Sequence, residues 1–170
     1  MKNLNAFSRR LRENRGQALI EYILILPMVF LLILNLVNFG GLFYAFITVS
    51  NASRAGVNYA VLGGASVGAL GPASPASVNA LIVQDILSLP NAASLSVNIC
   101  QNNNGTTKTL QGTCTAVPAD PESASYVLTS VDVTYTYVPF ISAWSFPKLG
   151  VFLTVPPTTL HQRAEMRTIQ

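Results

Sequence analysis

The sequence predicts an α+β protein in which one long N-terminal helix, half of it in a membrane, packs on a small antiparallel sheet beside one short extra helix. Three observations carry this. Residues 19–45 hold only Glu21, Asn35 and Asn38 as strongly polar side chains, a run long enough to cross a hydrocarbon core of ~30 Å. The helical pattern then continues beyond that run, through FITVSNASRAGVNYAVL. Two later segments alternate apolar and polar side chains, as strands do when one face meets water.

The chain opens on a basic leader. Residues 1–16 carry Lys2, Arg9, Arg10, Arg12 and Arg15 against Glu13, so the net charge of +3 and the pI near 9.1 belong to this segment. The remainder is slightly acidic and offers no basic face, which excludes a nucleic-acid partner. Charged residues make up 10% of the chain and hydrophobic ones 50%, against ~25% charged for an ordinary soluble domain. The excess apolarity lies between Ala18 and Ala45. A secretory h-region is ~7–15 residues with a small-residue cleavage site behind it; this run is longer and has no such site close behind it. Basic residues before the span and few after it place the N-terminus in the cytoplasm and the rest outside.

Past the span, Val49, Ala52, Gly56 and Tyr59 keep i+3 and i+4 spacing and form a narrow stripe of mostly small residues. Such a stripe admits another backbone closely. One helix is therefore expected from Leu19 to Leu62, stopped by Gly63-Gly64. At 1.5 Å per residue it is roughly 65 Å long, about twice a bilayer core. Pro27 predicts a kink and Gly40-Gly41 a second weak point.

Residues 65–75 are small and turn-forming, a linker. ASVNALIVQDILSLP spaces Val78, Ile82, Ile86 and Leu89 for a short helix ended by Pro90. SLSVNIC alternates Leu95, Val97 and Ile99 as a half-buried strand, and QNNNGTTKTLQG reads as a long hairpin loop. Cys100 and Cys114 flank that loop. An even count at short spacing fits one disulfide and an oxidising compartment; two isolated thiols are the other reading. In YVLTSVDVTYTYVP, Val127, Val131, Val133, Tyr135 and Tyr137 face one way, and Ser130, Asp132, Thr134 and Thr136 the other. TTLHQRAEMRT sets Leu160, Ala164 and Met166 against His161, Arg163, Glu165 and Arg167.

No catalytic, cofactor or metal site is legible. His161, the single histidine, stands among charged neighbours on a solvent face. Asp85, Asp120, Glu122 and Asp132 do not pair at a spacing suited to acid–base or metal chemistry. Gly63-Gly64 ends a helix, the wrong end for a phosphate.

Glu21 remains, a carboxylate at the head of the apolar run. Read from Gly16 the sequence is G-Q-A-L-I-E-Y, with a cationic leader before it and an apolar helix after it. This resembles the processing site of type IV prepilins, in particular the Flp and pseudopilin branch served by tight-adherence (Tad) secretion systems. The chain is similar to the TadE-like family through Pro27, Phe39-Gly40 and Asn51-Ala52, and VDVTYTYVP and TLHQRAEMR look like that family's closing strands. It departs from the family at Asn38, where an acidic residue is often found.

The resemblance implies a pilin-like fold and a minor pseudopilin, a structural subunit without enzyme activity that takes part in assembling a Tad/Flp pilus. It implies cleavage by a prepilin peptidase between Gly16 and Gln17, recognition through Gly16, Gln17, Glu21 and Tyr22, and a new amine that is a candidate for methylation. Glu21 would then pair with the amine of a neighbouring subunit during assembly, and Asn35 and Asn38 would bond to another helix in the membrane. The implied partners are other pseudopilins, the major Flp pilin, the inner-membrane platform of the pilus machine and lipid. The domains are expected at 1–16, 17–64 and 65–170, with the span at 19–45. The other reading is a permanently anchored single-pass envelope protein whose external domain binds a partner, and which keeps residues 2–16.

Overall fold

The computed structural model describes residues 2–63, 72–115, 125–141, 145–146, 151–152 and 154–169, with backbone alone for 2–15, 145–146 and 151–152. The order is α1 (Lys2–Leu62), α2 (Pro75–Ile86), a 3₁₀ turn (Ala92–Ser94), β1 (Ser96–Asn103), β2 (Thr106–Gln111), β3 (Tyr126–Tyr137), β4 (Ser145–Phe146), β5 (Val151–Phe152) and β6 (Thr158–Ile169). The fold is α+β, as expected.

Helix α1 starts earlier than the apolar pattern indicated. The leader has no proline, and before Gly16 no glycine; its Leu, Arg and Glu residues favour helix, so nothing stops the helix between Lys2 and the span. It also runs through Pro27 and through Gly40-Gly41 without a break. A proline in a helix removes one hydrogen bond, and the turns on either side hold. The stop comes at Gly63, whose φ of 70° suits glycine and whose N–H donates to Tyr59 O at 3.0 Å. Of the expected linker, residues 65–71 lie outside the described residues, as does Gly64.

Helix α2 is capped by Ser74, whose Oγ accepts from Ser77 N at 3.2 Å, with Pro75 in the first turn. It ends at Ile86, four residues before the expected Pro90, because Leu89 precedes that proline and is held out of helical geometry. Leu89 is still buried, beside Val78, Ile82 and Ile86.

The four-stranded sheet has the order β2-β1-β3-β6 and is antiparallel throughout. Strands β3 and β6 pair along all twelve residues, from Tyr126↔Ile169 to Tyr137↔Thr158. Strands β4 and β5 form a separate two-stranded ladder between β3 and β6. The segment expected to be a long loop is a tight hairpin. Asn104 (φ 47°) and Gly105 (φ 87°) make a two-residue turn between β1 and β2, the geometry an Asn-Gly pair favours in hairpins. A bulge beside Cys100 and a turn at Gly112 (φ 72°) bring Cys114 back to β1. Cys100 and Cys114 form the disulfide, with Cα atoms 5.9 Å apart. Closing a loop of this size stabilises by up to about 3 kcal/mol.

The core lies between α1, α2 and the inner face of the sheet. Val97, Ile99, Val131, Val133, Tyr135 and Tyr137 fill it from the strands, and Leu160, Ala164 and Met166 close its edge. The stripe on α1 is wider than Val49, Ala52, Gly56 and Tyr59: Ala45, Ser53, Val57 and Ala60 are buried as well. The helix is gripped from two sides, by the sheet and by α2, so two adjacent faces are covered. Gly56 stands where the two grips meet. A Cβ there would lie 2.7 Å from Ile82 Cδ1 and 3.4 Å from Val131 Cγ1.

The larger inner tyrosines carry their polar ends to partners. Tyr135 Oη donates to Pro90 O, and Tyr137 Oη donates to Asn38 O at 3.0 Å. Burial, and then the neighbouring Tyr137, push the Tyr135 phenol above its usual range; burial does the same for Tyr137.

Substitutions at Gly56 test this packing. In the full-length protein Gly56→Val should lower stability by about 1–3 kcal/mol through overpacking, read from denaturant midpoints. Gly56→Ala should sit near wild type, because the helix gain of about 1 kcal/mol offsets a smaller clash with a movable Ile82 side chain.

Candidate functional site

The head of α1 stands clear of the domain. Every described residue from Gly16 to Phe30 is exposed, Leu31, Leu34 and Asn35 are partly covered, and full burial begins at Asn38. The most apolar window of this helix has a mean hydropathy of 2.4 and none of it is buried. Residues 16–37 therefore form a bare apolar rod of about 33 Å, close to the thickness of a hydrocarbon core. At its outer end the expected span of 19–45 overlaps the domain, since Asn38, Leu42 and Ala45 pack against it.

The residues expected to serve processing are gathered by the helix alone. Gly16 has open space around its Cα, and Tyr22 is 73% exposed. Gln17 Nε2 donates to Glu21 Oε1 at 3.4 Å across one turn, a long bond on an exposed surface. Among the described residues, Glu21 is exposed and its hydrogen bond is with Gln17 of its own helix. Its carboxylate is thus held by the outer surface of a helix, open to another molecule.

The two asparagines differ. Asn35 Nδ2 donates to Leu31 O at 2.9 Å, back into its own helix. Asn38 is wholly buried and is joined to the chain's own segment after β3. Its Nδ2 donates to Ile141 O and its Oδ1 accepts from Ile141 N, both at 3.3 Å. With the Tyr137 hydroxyl on its backbone carbonyl, Asn38 clamps α1 to the end of β3. Sequence reasoning missed Tyr137 and Gly41 as members of this junction. A Cβ at Gly41 would meet Tyr137 Oη at 2.6 Å and Phe140 Cε2 at 2.5 Å, so the glycine is the seat for both rings. The pair Gly40-Gly41 was the available signal.

The disulfide lies in the hairpin and belongs to the domain's framework. His161 is exposed on β6, and Arg163 beside it lies 2.7 Å from Glu165 and 3.6 Å from Asp132. The exposed Arg163–Glu165 pair contributes little, whereas Asp132 is largely covered and its Oδ1 is buried. Asp120 and Glu122 lie outside the described residues. Among the described residues, no three His, Cys, Asp or Glu side chains are gathered so as to hold a metal ion.

Asn38 can be tested directly. Asn38→Leu strips Ile141 of both partners, an effect of about 1–3 kcal/mol for a buried polar group left unsatisfied. The Ile141 amide should exchange with solvent at least tenfold faster, while Val131 in mid-sheet keeps its protection. Asn38→Asp retains the acceptor and should be milder.

Comparison with known proteins agrees with the geometry of the helix. No curated protein and no solved structure matches the chain. The family described as TadE-like protein matches residues 16–58. That match begins at the glycine of the GQALIEY motif and ends four residues short of the end of α1, leaving β3 and β6 outside it. Over this stretch, from the head of the apolar rod to the face gripped by the domain, the chain is similar to the TadE-like family.

Proposed function

We propose that the protein is a minor pseudopilin: a structural subunit for assembly of a Tad/Flp pilus, inserted in the inner membrane and cleaved after Gly16. The N-terminus faces the cytoplasm and the disulfide-bonded domain lies on the far side. The observation that carries this reading is the GQALIEY motif at the head of a bare apolar rod whose other end is clamped in a folded domain. A TadE-like match over that helix supports a place in a Tad pilus system.

Physical chemistry gives each residue a task. Gly16 lies inside a continuous helix, where glycine weakens the structure by roughly 0.5–1 kcal/mol relative to alanine. The helix therefore opens more easily at Gly16 than it would at an alanine or leucine. Cleavage removes the cationic leader and leaves the amine of Gln17. That ammonium and the Glu21 carboxylate are each costly in hydrocarbon. Pairing the amine of one subunit with Glu21 of the next relieves both and sets their axial register. Other pseudopilins and the major Flp pilin are the partners of that pairing, and the inner-membrane platform is where it takes place.

Processing is tested by mass spectrometry of membrane-extracted protein from cells with an active Tad peptidase. The N-terminus should be Gln17, and Gly16→Val should retain residues 2–16. Wild-type protein that keeps its leader would instead mark a permanent anchor.

Assembly is tested separately. Glu21→Ala should insert and be cleaved, yet fail to co-purify with the other pilus subunits. Leaving one member of a buried ion pair alone costs about 3–5 kcal/mol, and water near the interface puts this case at the lower end. Glu21→Gln should lose most of the effect and Glu21→Asp part of it. Normal piliation with Glu21→Ala would reduce the glutamate to an interfacial residue.

A further inference from the structure

On α1 the boundary of the domain and the boundary of apolar exposure do not coincide. Full burial on α1 begins at Asn38, whose side chain is held by Ile141 of the domain. On the faces turned away from the domain, Phe39, Phe43, Phe46 and Ile47 remain 47%, 63%, 44% and 56% exposed. Exposed strongly polar residues take over only from Asn51, followed by Arg54 and Asn58. For residues 38–47, about 14 Å of helix, α1 is therefore held by protein on one side and apolar to its surroundings on the others.

The domain presents the same character at this level. Where the chain leaves β3, Val138 is 40% and Phe140 62% exposed, and Phe140 lies against Gly41 of α1. The chain then continues as FISAWSFPKLGVFL, with Lys148 as its one charge and with β4 and β5 within it. Irregular backbone is tolerated at membrane depth when protein satisfies its polar groups. Here Asn38 takes both the N–H and the C=O of Ile141.

We propose that this end of the domain is seated in the lipid interface of the outer leaflet, with Val138 and Phe140 in contact with lipid alongside Phe39, Phe43, Phe46 and Ile47. The inference rests on reading the exposed apolar part of α1 as a span. Bilayer dimensions select lipid as the occupant. With Gly16 at the inner headgroup surface, the helix to Ile47 measures about 47 Å, close to the 40–45 Å of a bilayer with its headgroups. This centres the core near Leu31 and puts residues from about 42 to 47 at the outer headgroup level. Aromatic side chains concentrate where interfacial belts form, and the patch joins the span without a polar break. The domain is then held at two places, by its helix and by its own surface.

Depth-dependent quenching tests this in the full-length protein, reconstituted at high lipid-to-protein ratio in phosphatidylethanolamine–phosphatidylglycerol vesicles. In a Trp144→Phe background, single tryptophans replace Ile33, Phe43, Phe140 or Asn58. The Ile33→Trp reporter should be quenched best by lipids brominated near the chain terminus. The Phe43→Trp and Phe140→Trp reporters should lose about half their emission or more to lipids brominated near the headgroup. The Asn58→Trp reporter should be unaffected. Quenching at 33 without quenching at 140 would overturn the seating while leaving the span intact. No quenching at 33 would remove the span itself. Emission at 140 that is blue-shifted yet inaccessible to bromolipid would show that another protein copy covers the patch, and would also overturn the proposal.

Discussion

The contact between the outer half of α1 and the β3–β6 pair is the constraint on which the other features depend. A helix whose apolar stripe runs on past an exposed apolar rod needs another apolar surface to cover it, and two twelve-residue strands in full register supply it. Small residues on α1 let that surface come close: Ala45, Ala52, Gly56 and Ala60 line the contact. Helix α2 closes the second side. With both grips in place the inner tyrosines are buried deeply enough to need partners, and they find them in Pro90 and Asn38.

How much of this the sequence discloses follows from the range of each interaction. The alternation of β3 and β6 was legible because a sheet with one wet face writes its period into consecutive residues. The small-residue stripe was legible for a similar reason, but its width was not, since the second grip comes from α2. The β1–β2 hairpin was readable in principle. Its Asn-Gly pair is a strong turn signal, yet the polar Thr and Lys of β2 concealed an edge strand whose pairing is carried by backbone rather than by burial. The early start of α1 was hidden differently, by a charge pattern that marks a leader and says nothing about helicity.

The candidate site divides along the same line. Gly16, Gln17, Glu21 and Tyr22 lie within one short stretch of sequence, so their spacing alone makes them visible. The junction does not have that form. Asn38 and Ile141 are 103 positions apart, and nothing in either neighbourhood announces the other. An asparagine within an apolar run suggests a bond to some partner; only the folded chain shows that the partner is its own turn after β3.

One consequence of the uninterrupted helix is mechanical. Because α1 is one unbroken helix from the apolar rod into the clamped half, the direction of the rod is carried into the domain. Membrane helices tilt by about 20° on average. Over the roughly 37 Å from Val37 to Leu62, such a tilt carries the far end sideways by about 13 Å. Whatever orients the rod thereby sets the heading of the whole domain.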